Sequence, residues 1–198
     1  MAFDVSRETS ERLDAFADLA QKWNKRISLV SRGDADAIVT RHIEDSLQLR
    51  RFLRKSDVHL TDLGSGGGFP ALVLAIAHNL RVTLIESDRR KAAFLSTALR
   101  ELNLSGNVVA DRIETLAPLQ APLMSARALA PLPRLMELVA PHLAPGGRFL
   151  APKGRTWRGE LDEARSSWTF EVQSHQSITD PDAVILEFTD IKRHSDAR

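Results

Sequence analysis

The stretch from Thr61 to Pro70, TDLGSGGGFP, packs four glycines into the five positions that begin at Gly64. An apolar run lies directly behind it and another directly ahead. Glycine weakens order on both sides, so this density signals a backbone that must take positive φ or approach something too closely for a Cβ. A junction of this kind belongs between a strand and a helix. The rest of the chain from Asp57 agrees, because short runs alternate with longer amphipathic ones. VHLTDL, RVTLIE, NVVAD, LMSARA and RFLAPK are brief and rich in aliphatic or β-branched residues. PALVLAIAHN, DRRKAAFLSTALRELN and LPRLMELVAPHL have helical length. Strands alternating with helices at this spacing predict βαβ units, a parallel sheet and right-handed crossovers. The sequence APGG ahead of RFLAPK predicts a turn. WTFEVQSH and AVILEFTDI, separated by Asp180-Pro181-Asp182, predict a hairpin that sets an antiparallel strand at the sheet's edge.

The N-terminal part has a different grain. Leu13, Phe16, Ala20, Trp23 and Ile27 recur at helical spacing. SRGDAD supplies Gly33 for a turn and aspartates for an N-cap, and Ile38, His42, Leu49 and Leu53 predict a second helix to about Lys55. The expected organisation is a helical extension over residues 1–56, an α/β domain over 57–192 and a frayed tail over 193–198. A length of 198 residues suits one domain with such an appendage.

Composition narrows the chemistry. The chain has no cysteine, which excludes disulfides, thiolate zinc sites and cysteine nucleophiles. The start, MAFDVSRETSERL, lacks the basic end and apolar stretch of a signal peptide, and ALVLAIA is far too short to span a membrane. A cytoplasmic protein is expected. With 27 Lys plus Arg against 26 Asp plus Glu, net charge carries no signal for nucleic acid, although a local basic face still can.

Two glycine patterns compete for the loop. A dinucleotide site wants G-x-G-x-x-G, and counting from Gly64 the third glycine falls on Phe69. The pattern present is D-x-G-x-G-x-G, with Asp62, Gly64, Gly66 and Gly68, as in S-adenosylmethionine-dependent methyltransferases. A ribose with two free hydroxyls wants a carboxylate at the end of the second strand, about 20 residues on. Glu86 closes VTLIE at that place. After the third strand, Arg112-Ile113-Glu114 offers an apolar face and backbone groups for an adenine.

The end of LMSARA should lie beside the methyl acceptor. Enzymes that methylate exocyclic amines carry an Asn/Asp-Pro-Pro-aromatic motif there, whereas this chain has Ser125-Ala126-Arg127-Ala128. Pyrimidine C5 methylation needs a cysteine adduct, and metal-assisted O-methylation needs clustered ligands that the six scattered histidines do not supply. No metal is expected. An acceptor that is already nucleophilic survives, such as guanine N7, which loses no proton on alkylation. No general base is then required, and Arg127 is the nearest catalytic candidate. A lone arginine at an apolar strand end meets either a ligand or substrate anion or a structural ion pair.

Several segments together resemble one family, the bacterial 16S ribosomal RNA guanine-N7 methyltransferase G, also called glucose-inhibited division protein B. They are KWNKRISLVS, RHIEDSLQL, TDLGSGGGFPALVLAIA, RKAAFLSTALREL, RIE, SARALAPLPRL and GGRFLAPKG, from about Lys22 to Gly154. The resemblance implies a Rossmann-like class I methyltransferase fold and a cofactor site at Gly64, Phe69, Ile113, Glu114 and Arg127, beside the Gly66 and Glu86 read above. It also implies 16S ribosomal RNA of the small subunit as substrate. Glu86 stands where many members have aspartate, which keeps the charge. Arg89, Arg90 and Lys91, with Lys153 and Arg155, are candidate RNA contacts; a charge run also serves simply as a solvated helix face. Trp23 lies on the apolar stripe, which favours packing over stacking on a base. Small-molecule methylation and a non-catalytic cofactor-binding assembly factor are the other readings left open.

Overall fold

The computed structural model describes residues 4–29 and 35–194. Seven strands form one sheet: β1 (His59–Leu63), β2 (Arg81–Ile85), β3 (Gly106–Val109), β4 (Ala121–Ser125), β5 (Leu143–Lys153), β6 (Trp168–Gln176) and β7 (Val184–Arg193). Their order is β3-β2-β1-β4-β5-β7-β6. The first five are parallel, and β7 runs antiparallel to both β5 and β6. The order reverses between β1 and β4, and it is there that an open α/β sheet leaves a crevice at its carboxyl edge.

Alternation along the strands sends successive side chains to opposite faces. Leu123, Leu150 and Ile185 join a cluster with α1 (Arg7–Asn24), α3 (Ala71–His78) and α4 (Arg89–Glu101). Their neighbours Met124, Phe149 and Leu186 join a second cluster with α5 (Leu132–Val139) and α6 (Trp157–Arg165). α3 explains why the chain begins with helices. Every residue from Ala71 to Ile76 is buried, so this helix is apolar all round and needs cover on both sides. The sheet covers one side, and α1 and α2 (Ala35–Leu47) pack on the other. Among the described residues no helix is long and apolar enough to cross a membrane.

Four expectations change. The second helix ends at Leu47 and continues as a 3-10 turn over Gln48–Phe52, rather than running to Lys55. The APGG turn lies inside β5: Ala121 pairs with Leu143 and Leu123 with Arg148, so the extra residues bulge out, with Gly146 at φ +70°. The hairpin forms, yet its antiparallel strand β7 is not at the edge; β6 is. β7 is buried in a nearly continuous run from Val184 to Phe188, whereas β6 alternates, and only a strand covered on both faces belongs inside a sheet. α6 was not expected at all. Its Gly159 interrupts a pattern in which Leu161 and Ala164 are buried. The turn around Gly33 and the tail beyond His194 lie outside the described residues.

Candidate active site

The glycine loop leaves the end of β1 and turns at once. Gly64, Gly66 and Gly68 all have positive φ, at 64°, 51° and 84°. The turn is closed by Ser65 N–H donating to the Ile85 carbonyl (3.0 Å) and Gly68 N–H donating to that of Ser65 (2.7 Å). Gly66 N–H donates to Glu86 Oε2, and Asp88 N–H donates to Glu86 Oε1, both at 2.8 Å. Glu86 is therefore fixed at the end of β2 by two charge-assisted bonds, which are about twice as strong as neutral ones. Each oxygen keeps a lone pair for a further donor.

A cleft of about 810 Å³ opens above this floor. Gly64, Gly66, Phe69, Glu86, Ile113, Glu114 and Arg127, which come from four different strand ends, all line it. Ile113–Thr115 forms a 3-10 turn after β3, and buried His142 donates through Nε2 to the Ile113 carbonyl at 3.2 Å, holding the turn from behind. The Glu114 carboxylate is engaged by Arg134 (2.6 Å) and Arg112 (3.3 Å).

Arg127 sits on the far wall, in the turn where Ala128 takes φ +53°. Its guanidinium lies 5.2 Å from the centre of the Phe69 ring. It donates to His42 Nδ1 at 3.0 Å and lies 3.9 Å from Asp45 Oδ2. An arginine only donates, so the Nδ1 of His42 is assigned as the unprotonated nitrogen. Burial draws the Arg127 pKa below its ordinary value, and Asp45 and Asp62 only partly offset this. The cation is thus largely desolvated with one loose ion pair.

Asp62 lies under the floor, 1% exposed. Ser125 Oγ donates to its Oδ1 at 2.5 Å, while Oδ2 has no hydrogen-bond partner. Burial pushes this carboxyl up to about 7, against the pull of the Ser125 and Ser65 hydroxyls and Arg127. A carboxyl that holds its proton more tightly folded than unfolded stabilises the fold below about pH 4, and that contribution fades as pH rises through about 7. Asp62→Asn, which keeps an acceptor for Ser125, is expected to raise the melting temperature of the cofactor-free protein more at pH 8 than at pH 5. The difference should grow by about 1.4 kcal/mol per pH unit up to neutrality. Melting curves shifted equally at both pH values would remove Asp62 as a buried proton holder.

Comparison with known proteins follows the same line. The family model for rRNA small subunit methyltransferase G matches residues 9–187. The chain belongs to this family. A member from Cereibacter sphaeroides is 53% identical over 93% of this chain and 92% of its own length. One from Paracoccus denitrificans is 49% identical over 95% and 98%. Among solved structures, a TehB-like SAM-dependent methyltransferase from Corynebacterium glutamicum aligns with a TM-score of 0.58, 13% identity and 89% and 98% coverage. The 16S rRNA methylase RmtB aligns with a TM-score of 0.59, 14% identity and 96% and 77% coverage. At such identities these two show the fold alone, a class I methyltransferase sheet.

Within this family fold the expected RNA contacts divide. Lys91 and Lys153 line the cleft, whereas Arg89, Arg90 and Arg155 do not. Lys153 is committed internally: its Nζ bonds Glu160 Oε2 at 2.5 Å and the Ala130 carbonyl at 3.1 Å. The same Glu160 oxygen accepts Leu132 N–H at 3.0 Å, so this pair ties α6 to the start of α5. Arg90 pairs with Asp88 at 3.2 Å across the start of α4. Trp23 is half-buried with its ring 5.7 Å from that of Phe94, in line with packing. The cleft also has a wall that the sequence reading missed. His42, Asp45 and Gln48 of the N-terminal helices face Ser177 and Asp180 of the β6–β7 turn across it. Polar residues at spacings of three on the inward side of an otherwise apolar stripe were the available signal.

Proposed function

We propose that this chain transfers the methyl group of S-adenosylmethionine to N7 of a guanine in 16S ribosomal RNA of the small ribosomal subunit. The observation that carries the reading is the convergence of Gly64, Gly66, Phe69, Glu86, Ile113, Glu114 and Arg127 on one cleft, in a chain of this family. Residues 57–192 are assigned the chemistry, and 1–56 the cover that completes the cleft.

The residues present fit the cofactor. The Glu86 carboxylate at the cleft suits a ligand that carries positive charge, and beneath the loop the Oδ2 of Asp62 is without a partner among the described residues. The free lone pairs of Glu86 suit a ribose diol. A Cβ built on Gly66 would meet nothing nearer than the Gly64 carbonyl at 3.7 Å, so the protein leaves that side of the loop open. When bound, the cofactor supplies an electrophilic methyl whose departure leaves a neutral thioether.

The chain's own part is positioning. Glu86, set in place by the loop, holds the ribose end, and the Ile113–Glu114 turn receives the adenine. Arg127, its guanidinium 5.2 Å from the centre of the Phe69 ring, is a fixed donor on the acceptor side, suited to guanine O6, which leaves the N7 lone pair free for the methyl, or to a carboxylate. Guanine N7 releases no proton on attack, so the work left is alignment and exclusion of water. No cleft residue has to act as a general base.

The test is incubation with labelled cofactor and small subunits lacking the modification, followed by mass mapping of the RNA. Label at N7 of a guanine in 16S RNA is expected. Label at N1, at N2 or on adenine, or turnover of a small molecule without RNA, defeats the assignment. Tight cofactor binding with no product on any ribosomal substrate would support a non-catalytic assembly factor instead.

A further inference from the structure

A second hollow, of about 530 Å³, lies between the end of α1 and α4. Its apolar lining comes from Leu19, Ile27 and Ala93, together with half-buried Trp23. Among the described residues four exposed cations border it, Lys22, Arg26, Arg90 and Arg100, against a single acid, Glu101. Arg90 and Arg100 have acidic neighbours at 3.2 and 3.8 Å. Among the described residues neither Lys22 nor Arg26 takes part in an ion pair. The whole chain carries a net charge of only +1, so four cations to one acid is a local concentration and not a general trait.

Its position gives the patch a use. Arg90 borders this hollow and the next residue, Lys91, lines the catalytic cleft; Ile27 borders the hollow and Leu29 lines the cleft. The two spaces are therefore bordered by neighbouring residues at the first turn of α4 and in the segment that follows α1. A nucleotide whose base enters the cleft can carry its neighbours' phosphates past this border.

We propose that the α1–α4 groove binds the sugar-phosphate backbone of the substrate RNA beside the target guanine, with its cations on phosphates and Trp23 against a base or ribose. The proposal rests on the reading of the cleft as an RNA methyltransferase site and adds the path of the strand. An apolar floor with a cationic rim is the arrangement that single-stranded nucleic acid calls for. An acidic protein segment matches the charge, but nothing would place it in line with a cleft that takes a base.

The test is the double substitution Lys22→Gln/Arg26→Gln, which leaves the described ion pairs intact. Retention of unmethylated 16S RNA transcript is measured over a salt series, and cofactor affinity by calorimetry. The variant should bind the transcript about tenfold or more weakly near 0.1 M salt. Its plot of log affinity against log salt should be shallower by about 1.4, since each lost phosphate contact removes about 0.7. Cofactor affinity should not move. Unchanged RNA affinity and slope, with fold and cofactor binding intact, overturn the proposal. Weakening on assembled small subunits but not on the transcript also overturns it, in favour of an acidic ribosomal protein. If the unaltered protein neither binds the transcript nor methylates small subunits, the reading of the cleft itself fails, and the unaltered arm reports that separately.

Discussion

Gly66→Val abolishes cofactor binding while the sheet stays folded; this is the largest effect expected of any single loop substitution. Two losses fall on one peptide. Gly66 has φ +51°, a left-handed conformation that costs an L-residue about 1–2 kcal/mol, with a β-branched side chain at the worst end. Relief of that strain must move the N–H that holds Glu86 at 2.8 Å, so the carboxylate proposed to meet the ribose loses its anchor. The isopropyl group itself meets little protein, because the position opens onto the cleft, and so it occupies ligand space. An affinity loss of at least a hundredfold, about 3 kcal/mol, is expected by calorimetry, with circular dichroism showing the fold retained. Gly66→Ala should fall between the two. Unchanged affinity in the valine variant would remove the loop from the cofactor site.

Arg127→Met is expected to lower the methyl-transfer rate by about a hundredfold or more, the scale of a displaced positioning group, with only a small change in melting temperature. Methionine fills the volume against Phe69 and removes the charge. If Arg127 were chiefly structural, its loss would break a buried pair and cost about 3–5 kcal/mol of stability. The 3.9 Å approach to Asp45 is too long for a bond of that strength. Arg127→Lys should rescue little, because an ammonium reproduces neither the directed donor to His42 Nδ1 nor the planar group beside the Phe69 ring. A variant that loses activity only in proportion to lost folded protein would return Arg127 to a structural role.

Much of this architecture could be read from the chain because local and global preferences agree. TDLGSGGGFP joins a strand to a helix as expected, and the spacing from Gly66 to Glu86 is the spacing of a direct hydrogen bond. The place of β7 was also present in the sequence, in the contrast between the continuous apolar AVILEF and the alternating WTFEVQSH. The hairpin connection alone fits either order. The missed wall of the cleft is a different case. His42, Asp45 and Gln48 acquire their role from residues about 130 positions away, and their spacing of three marks an inward polar face without specifying what it meets. Lys153 shows the converse, since its charge was legible but its pairing with Glu160, on a helix interrupted by glycine, was not.

The bonds across that wall have a bearing on how the protein comes into being. Gln48 Oε1 accepts the Ile178 N–H at 3.1 Å and Gln48 Nε2 donates to Thr179 Oγ1 at 3.0 Å, while Asp45 also holds the Thr179 hydroxyl. Each pair joins residues about 130 positions apart, so none can form until β6 and the turn after it have been synthesised. The glycine loop and Glu86 belong to the first half and precede them. During translation the floor of the cleft is therefore made early and its far wall last. A chain stopped before β6 would present the glycine floor without that wall, so the cleft takes its shape only when both halves of the sequence have met.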